Sequence, residues 1–315
     1  MQIIRELRGM PALPQGSVAT IGNFDGVHLG HQQLLRHVAA RAKHEGAAAV
    51  AITFDPHPIR VLAPDHAPKL LTTLDHRQSL IARQGIDFLL VLPFTRDLAH
   101  LGPEEFVRDV LLGIVQARFV VVGPNFRFGY RQAGDTNTLA GLGGKLGLGV
   151  EILPNVRIRG EAVSSTRVRR VLDAGRVQTA GRMLGRPFSN SGPIVTGLGI
   201  GHRHTVPTLN LAPAEEQLPN IGVYVTRTRL GEAWMHSVTN VGRKPTFGEY
   251  AVTVETYLLG FAGEVREKDM TIEYLFRLRD EIRFQNPAIL KVQIQEDARR
   301  SLKFFRLLER LRRGP

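Results

Sequence analysis

The chain has 315 residues, a formal charge of +12, 43 % apolar residues and 22 % charged residues. That length favours two domains, each able to bury a core, and the ordinary composition excludes wholesale disorder. With no cysteine, disulfides, thiolate zinc sites and iron–sulfur clusters are excluded, while the basic balance suits polyanionic partners such as nucleotides.

Met1 to Leu13 carries Arg5, Glu6 and Arg8 and no long apolar run. Neither a signal peptide nor a membrane span is expected there, and a cytoplasmic chain follows. Apolar, β-rich runs at 17–24, 47–54, 88–94, 119–123 and 150–153 predict strands. Helical patterns separate them. One covers 31–45, with Leu34, Leu35, Val38 and Ala42 on one face and Gly46 as its stop; others lie near 75–84 and 103–115. Alternating strands and helices imply a parallel sheet covered on both faces, with ligands at the carboxyl ends of its strands. The Gly-rich stretch 141–149 predicts a turn. Residues 163–184 read as two short helices, the first capped by Ser164, Ser165 or Thr166. Gly185-Arg186-Pro187 reads as the interdomain link.

The second half changes character. Short alternating runs at 191–196, 222–228, 234–241, 252–259 and 271–278 are broken by Gly and Pro. They predict an antiparallel barrel or sandwich, closed by an amphipathic helix over about 287–310.

One segment carries chemistry in its spacing. Gly22-Asn23-Phe24-Asp25-Gly26-Val27-His28-Leu29-Gly30-His31 follows an apolar strand and opens a helix. A strand, a glycine turn and a helix N-terminus make a phosphate site, because free N–H groups and the helix dipole both favour an anion. His28 and His31 are three apart and can face the same side. Such a pair can donate hydrogen bonds to charge growing on a phosphoryl oxygen, and no protein nucleophile is needed. A zinc pair lacks a third ligand nearby.

These residues resemble the HxGH class of nucleotidyltransferases, and within it the bacterial bifunctional riboflavin kinase/FMN adenylyltransferase family. Ile52-Thr53-Phe54-Asp55-Pro56-His57-Pro58 is similar to the family's flavin-side loop. Val121-Val122-Gly123-Pro124-Asn125-Phe126-Arg127-Phe128-Gly129 is similar to a second, with Asn125 where Asp is usual. Val163-Ser164-Ser165-Thr166-Arg167-Val168-Arg169 is similar to the triphosphate-binding motif, which in the family faces the HxGH motif across the ATP. The resemblance implies catalytic His28 and His31. It implies ATP contacts at Gly22, Asn23, Phe24, Gly26, Gly30, Ser164, Ser165, Thr166 and Arg169. It implies flavin contacts at Phe54, Pro56, Pro58, Asn125, Phe126, Arg127 and Phe128.

The second half is similar to the riboflavin kinase module. Val206-Pro207-Thr208-Leu209-Asn210 resembles its metal and nucleotide motif, with Thr205 and Val206 where a Gly and a Phe are usual. The resemblance implies Mg2+ ligands at Thr208 and Asn210, phosphate contacts at Gly197, Gly201 and Asn240, and a catalytic Glu255 with Tyr257 in place of a usual His. Hydroxyl and amide oxygens are the hard ligands Mg2+ requires. Arg277-Leu278-Arg279-Asp280-Glu281 resembles the closing segment beside the flavin, which implies a flavin contact at Arg279.

The resemblance runs from about Ser17 to Leu302. It implies a Rossmann-like α/β transferase domain over 1–185 and a small antiparallel β-barrel kinase domain with a C-terminal helix over 186–315. Riboflavin, FMN and ATP are the expected partners, with FMN or FAD as product and possible bound ligand. No nucleic acid or membrane is expected, and the chain is expected to be a monomer or weak homo-oligomer. Two other readings stay open: a nucleotidyltransferase with a different acceptor, such as a pantetheine or nicotinamide phosphate, and a non-catalytic flavin- or RNA-binding module.

Overall fold

Strands β1 (Gln2–Ile4), β2 (Ser17–Ile21), β3 (Ala48–Asp55), β4 (Phe88–Pro93), β5 (Ala117–Val122) and β6 (Gly149–Ile152) form a six-stranded sheet in the order β1-β4-β3-β2-β5-β6. Every pairing in it is parallel. This computed structural model describes residues 1–6, 11–13, 15–195, 208–212, 216–246 and 249–313, of which 244–246, 249–251, 312 and 313 are described by backbone alone. The chain divides into two compact units, Met1–Ser165 and Thr166–Pro315.

Strand alternation explains why the runs of the first unit are apolar at every position. Ala19, Ile21, Val50, Ile52, Leu90 and Leu92 enter one core, while Val18, Ala49, Ala51, Leu89 and Val91 enter the other. A sheet buried on both faces needs apolar side chains of both parities. Helix α1 (Leu29–Glu45) supplies Leu34, Leu35, Val38 and Ala42 to the second core. Each such fully buried Leu contributes about 1.5–3 kcal/mol relative to exposure. Short helices α2 (Pro58–Leu62) and α3 (Leu74–Ala82) follow β3, and α4 (Arg96–His100) follows β4. Then α5 (Pro103–Glu105) runs into a π-helical stretch, Phe106–Ile114, which packs Phe106, Val107, Val110 and Leu111 on the first core.

The strand order matters for function. From β2 the chain steps outward through β3 and β4, then returns to place β5 on the other side of β2. The reversal opens a crevice at the carboxyl ends of β2 and β5, where ligands of open α/β sheets bind.

The expected turn at 141–149 is instead largely helical. Helix α6 spans Thr136–Leu146, with Asp135 capping it by accepting from the Thr138 N–H at 2.8 Å. One of its glycines serves packing: a Cβ on Gly143 would stand 2.5 Å from the Leu148 carbonyl and 2.7 Å from Val150 Cγ2. Close approach to β6 thus selects glycine inside a helix, which sequence reads as a break. A small hairpin of β7 (Arg157–Ile158) and β8 (Glu161–Ala162) ends this unit.

The two expected short helices are α7 (Ser165–Asp173) and α8 (Val177–Leu184). Strands β9 (Phe188–Val195), β10 (Leu209–Leu211), β11 (Gly222–Leu230), β12 (Ala233–Thr246), β13 (Glu249–Leu258) and β14 (Asp269–Arg279) close into an antiparallel barrel ordered β10-β13-β12-β11-β14-β9. The barrel-or-sandwich alternative therefore resolves to a barrel. Strand β10 was not expected, because three residues carry too little alternation to read.

Hydroxyls fill part of the barrel. Thr226 lies 2.8 Å from Ser237 and 2.7 Å from Thr239, and Thr239 lies 2.9 Å from Thr256. All are fully buried, so each must find its hydrogen bond in a neighbour. Helix α9 (Pro287–Arg313) packs Phe305 on His236, with ring centroids 3.7 Å apart, and Phe304 against Phe276 at 5.6 Å.

Candidate active sites

In the first unit, the segment 22–28 leaves the carboxyl end of β2 and enters α1. Its backbone is strained at Phe24 and Val27, with φ of 46° and 38°, while Gly26 takes φ 79° freely for want of a Cβ. A non-glycine residue in this region costs about 1–3 kcal/mol, and a β-branched one is a marked outlier. Burial holds the conformation, since Phe24 and Val27 are inside the core and Asp25 is 2 % exposed. The Asp25 carboxylate accepts from the Leu71 N–H at 2.9 Å and the Thr72 N–H at 3.2 Å, with Arg77 Nη2 at 3.9 Å. Thr72 Oγ1 in turn accepts from the Gly26 N–H at 3.2 Å. A second tie comes from Ser165, whose hydroxyl donates to the Asp25 carbonyl at 2.8 Å.

This frame presents two histidines. His28 caps α1: its Nδ1 accepts from the His31 N–H at 3.3 Å. The hydrogen bond fixes the neutral tautomer, so the proton resides on Nε2. The two rings stack with centroids 3.6 Å apart and planes 16° apart, and Phe24 meets His31 edge-on at 5.3 Å. Burial, then the neighbouring His28 and Arg77, lower the His31 pKa well below 6.5. Gly30 has to be small here, because a Cβ would stand 3.2 Å from the His28 ring. Gly22 lies against the Phe24 ring in the same way, at 3.3 Å.

The flavin-side candidates flank this loop on the same edge of the sheet, since β3 and β5 are the neighbours of β2. After β3, the Asp55–Pro56 peptide is cis, Pro56 is exposed, and Pro58 opens α2. Phe54 meets Phe94 edge-on at 5.5 Å. After β5, Phe126 stacks on Phe128 at 5.4 Å, while Asn125 and Arg127 are exposed. Arg127 lies 3.7 Å from Asp135. Ser164 immediately precedes α7; Thr166 and Arg169 stand on that helix.

The second unit assembles its own row. Asn210 on β10 pairs across the ladder with Glu255 on β13, and Glu255 pairs with Asn240 on β12. Directly opposed residues share a face. On β13, Val254, Thr256 and Leu258 are buried, while Thr253, Glu255 and Tyr257 are half-buried, so the row lies on the face turned from the barrel interior. The ladder continues from Asn240 through Val223 to Arg279 on β14. Thr208 precedes Asn210 by two residues and is half-buried. The candidates Gly197 and Gly201 lie outside the described residues.

Arg279 is committed to the fold. Its guanidinium forks onto Asp297 of α9, with Nη2 at 2.7 Å and Nε at 3.1 Å, and its Cζ lies 5.9 Å from the Phe284 ring centroid. Asp297 is 2 % exposed. Glu281, at the end of the expected closing segment, has its carboxylate crowding the place a Cβ on Gly242 would take, and the Asn240 amide lies 2.8 Å from the same place. Sequence reasoning did not single out Asp25, Thr72 or Arg77. An Asp inside an apolar strand–loop–helix segment was the available signal, since such a carboxylate must be paired.

Comparison with known proteins matches both halves. The family model described as FAD synthetase covers residues 10–167, and that described as riboflavin kinase covers residues 184–305. A bifunctional riboflavin kinase/FMN adenylyltransferase from Pseudomonas fluorescens is 35 % identical over 299 residues, 94 % of this chain and 96 % of the relative. One from Escherichia coli (strain K12) is 33 % identical over 309 residues, 98 % and 99 % of the two chains. A solved structure of a macrolide-efflux protein from Streptococcus pneumoniae matches with a TM-score of 0.84 at 27 % identity, over 94 % of this chain and 96 % of that one. Among the described residues, no helix is long and apolar enough to cross a membrane.

Proposed function

The chain belongs to the bifunctional riboflavin kinase/FMN adenylyltransferase family, and from that premise we propose how its residues divide the work. It phosphorylates riboflavin to FMN with ATP and adenylylates FMN with a second ATP to give FAD and pyrophosphate. We assign adenylylation to 1–185 and phosphorylation to 186–315, in a cytoplasmic chain that is a monomer or weak homo-oligomer.

In adenylylation an oxygen of the FMN phosphate attacks the α-phosphorus of ATP, and the bond to the pyrophosphate oxygen breaks. His28 Nε2–H donates to a phosphoryl oxygen as charge grows on it. His31, kept neutral by burial, His28 and Arg77, supports that ring by stacking and adds no competing positive charge. The N–H groups of 22–26 and of the α1 start hold the triphosphate. Ser164, Ser165, Thr166 and Arg169 hold the leaving pyrophosphate. Phe54, Pro56 and Pro58 on one side, and Asn125, Phe126, Arg127 and Phe128 on the other, receive the flavin.

In phosphorylation Glu255 takes the proton of the riboflavin 5′-hydroxyl as the hydroxyl oxygen attacks the γ-phosphorus of ATP, and the bond from that phosphorus to the bridging oxygen breaks to release ADP. Thr208 and Asn210 would hold Mg2+. The chemistry of the donors fits, since both supply hard oxygens and Asn210 stands opposite a carboxylate in the ladder. Mg2+, when bound, neutralises phosphate charge. Asn240, with Gly197 and Gly201, binds phosphate. Arg279 acts on the flavin through the segment it anchors.

The observation that carries this division is that each compact unit holds its own set: stacked imidazoles at the sheet's switch point, and an in-register Asn–Glu–Asn row on the barrel. Its test feeds riboflavin and FMN separately to two variants. His28→Ala should still make FMN and lose FAD; Glu255→Ala should lose FMN and still convert supplied FMN. Loss of both activities in either folded variant contradicts separate sites.

A further inference from the structure

Two histidines of the first unit are used alike. His28 caps α1 through Nδ1, and His57 caps α2 through Nδ1, which accepts from the Ile59 N–H at 3.3 Å. In each ring the lone pair on Nδ1 is committed to a backbone donor, so in the neutral ring the proton sits on Nε2. His57 is 8 % exposed.

His57 Nε2 stands 3.2 Å from Asn23 Nδ2, at the carboxyl end of β2. An Nε2–H can bond only the oxygen of that amide, since its NH2 is also a donor. The Asn23 backbone is fixed independently, its carbonyl accepting from the Thr53 hydroxyl at 3.3 Å. Nδ2 and Oδ1 exchange by a half-turn of the amide, and because His57 Nδ1 already accepts from Ile59, the hydrogen bonding selects the orientation with Oδ1 at His57 and the NH2 group turned the opposite way.

We propose that His57 is a positioning residue for adenylylation, which through Nε2–H holds Asn23 with its amide NH2 toward a phosphate of ATP. The proposal rests on the reading of 22–31 as the nucleotide loop. The reason for such a device is electrostatic. An unrestrained Asn offers an anion its oxygen or its nitrogen, and the oxygen repels phosphate. The loop otherwise binds through backbone N–H groups, so a side chain held as a donor extends the same recognition. The cap and the bond to Asn23 use opposite edges of one ring. That arrangement accounts for a His, because neither a cap Ser nor a cap Asp could supply the second bond.

Two isosteric changes separate the edges. Asn at 57 retains an acceptor placed like Nδ1 and lacks the distal donor; Gln retains a donor placed like Nε2. His57→Asn should raise the KM for ATP in FAD formation from supplied FMN about tenfold, the worth of one hydrogen bond to an ion, and leave riboflavin phosphorylation intact. His57→Gln should recover most of that KM. The tautomer is read directly by 15N NMR of the ring on the full chain, where a protonated Nε2 and a bare Nδ1 are expected. A bare Nε2, an unchanged KM in His57→Asn, or equal losses in both variants overturns the proposal. Asn23→Ala separates this from the underlying reading. If it leaves adenylylation unchanged, the nucleotide-loop reading fails; if it impairs adenylylation while His57→Asn does not, only the orienting role fails.

Discussion

The Ser165 hydroxyl donates to the Asp25 backbone carbonyl at 2.8 Å, bridging residues 140 apart in sequence. One end belongs to the histidine-bearing loop and the other to the start of α7. The bond makes the geometry of the loop depend on a motif far along the chain. Replacing Ser165 by Ala should remove about 0.5–1.5 kcal/mol of that support, a loss of about twofold to thirteenfold in kcat/KM for adenylylation. Riboflavin phosphorylation by the same sample should be unchanged. A loss shared equally by both activities would contradict the assignment.

Asp25 does the heavier work in the same loop. Its buried carboxylate answers Leu71 and Thr72 N–H groups and lies beside the Arg77 guanidinium. Removing one partner of a buried charged network costs about 3–5 kcal/mol. Asp25→Ala should therefore lower the urea midpoint of the first unit strongly. Asp25→Asn, which keeps one acceptor oxygen, should lower it less. Equal stability of wild type and Asp25→Ala would show that the strained loop is held by something else.

His31 makes stability depend on pH. Burial, His28 and Arg77 hold its folded pKa well below 6.5, whereas in the unfolded chain it titrates near about 6.5. Below that pH the unfolded state binds the extra proton, so stability falls as pH drops toward the folded pKa and is fully present above about 6.5. His31→Gln should flatten this acid slope, measured as the urea midpoint between about pH 5 and pH 7.5. Identical slopes in the two proteins would mean that His31 is free to charge in the folded state.

Much of this was legible in sequence because the elements were periodic or their spacing was chemical. The continuous apolar runs announced a doubly covered sheet, and Leu34, Leu35, Val38 and Ala42 announced the buried face of α1. The segment from Gly22 to His31 announced a loop between a strand and a helix start, which the structure places between β2 and α1. What sequence did not reveal depends on contacts distant along the chain. Gly143 looks like a helix breaker until β6 is seen against it. Asp25 looks incidental until Leu71 and Thr72 arrive beside it. The register that aligns Asn210, Glu255 and Asn240 exists only once the barrel closes. Arg279 was read from resemblance as a flavin contact, while its fork onto Asp297 depends on where α9 docks.

The central claim is that one chain performs two consecutive transfers on a flavin. The most direct measurement is a time course of the purified protein with riboflavin, ATP and Mg2+, resolved chromatographically for FMN and FAD. The account predicts FMN first and FAD after it, with FMN declining as FAD grows. It is contradicted if neither product forms and supplied FMN is not converted to FAD.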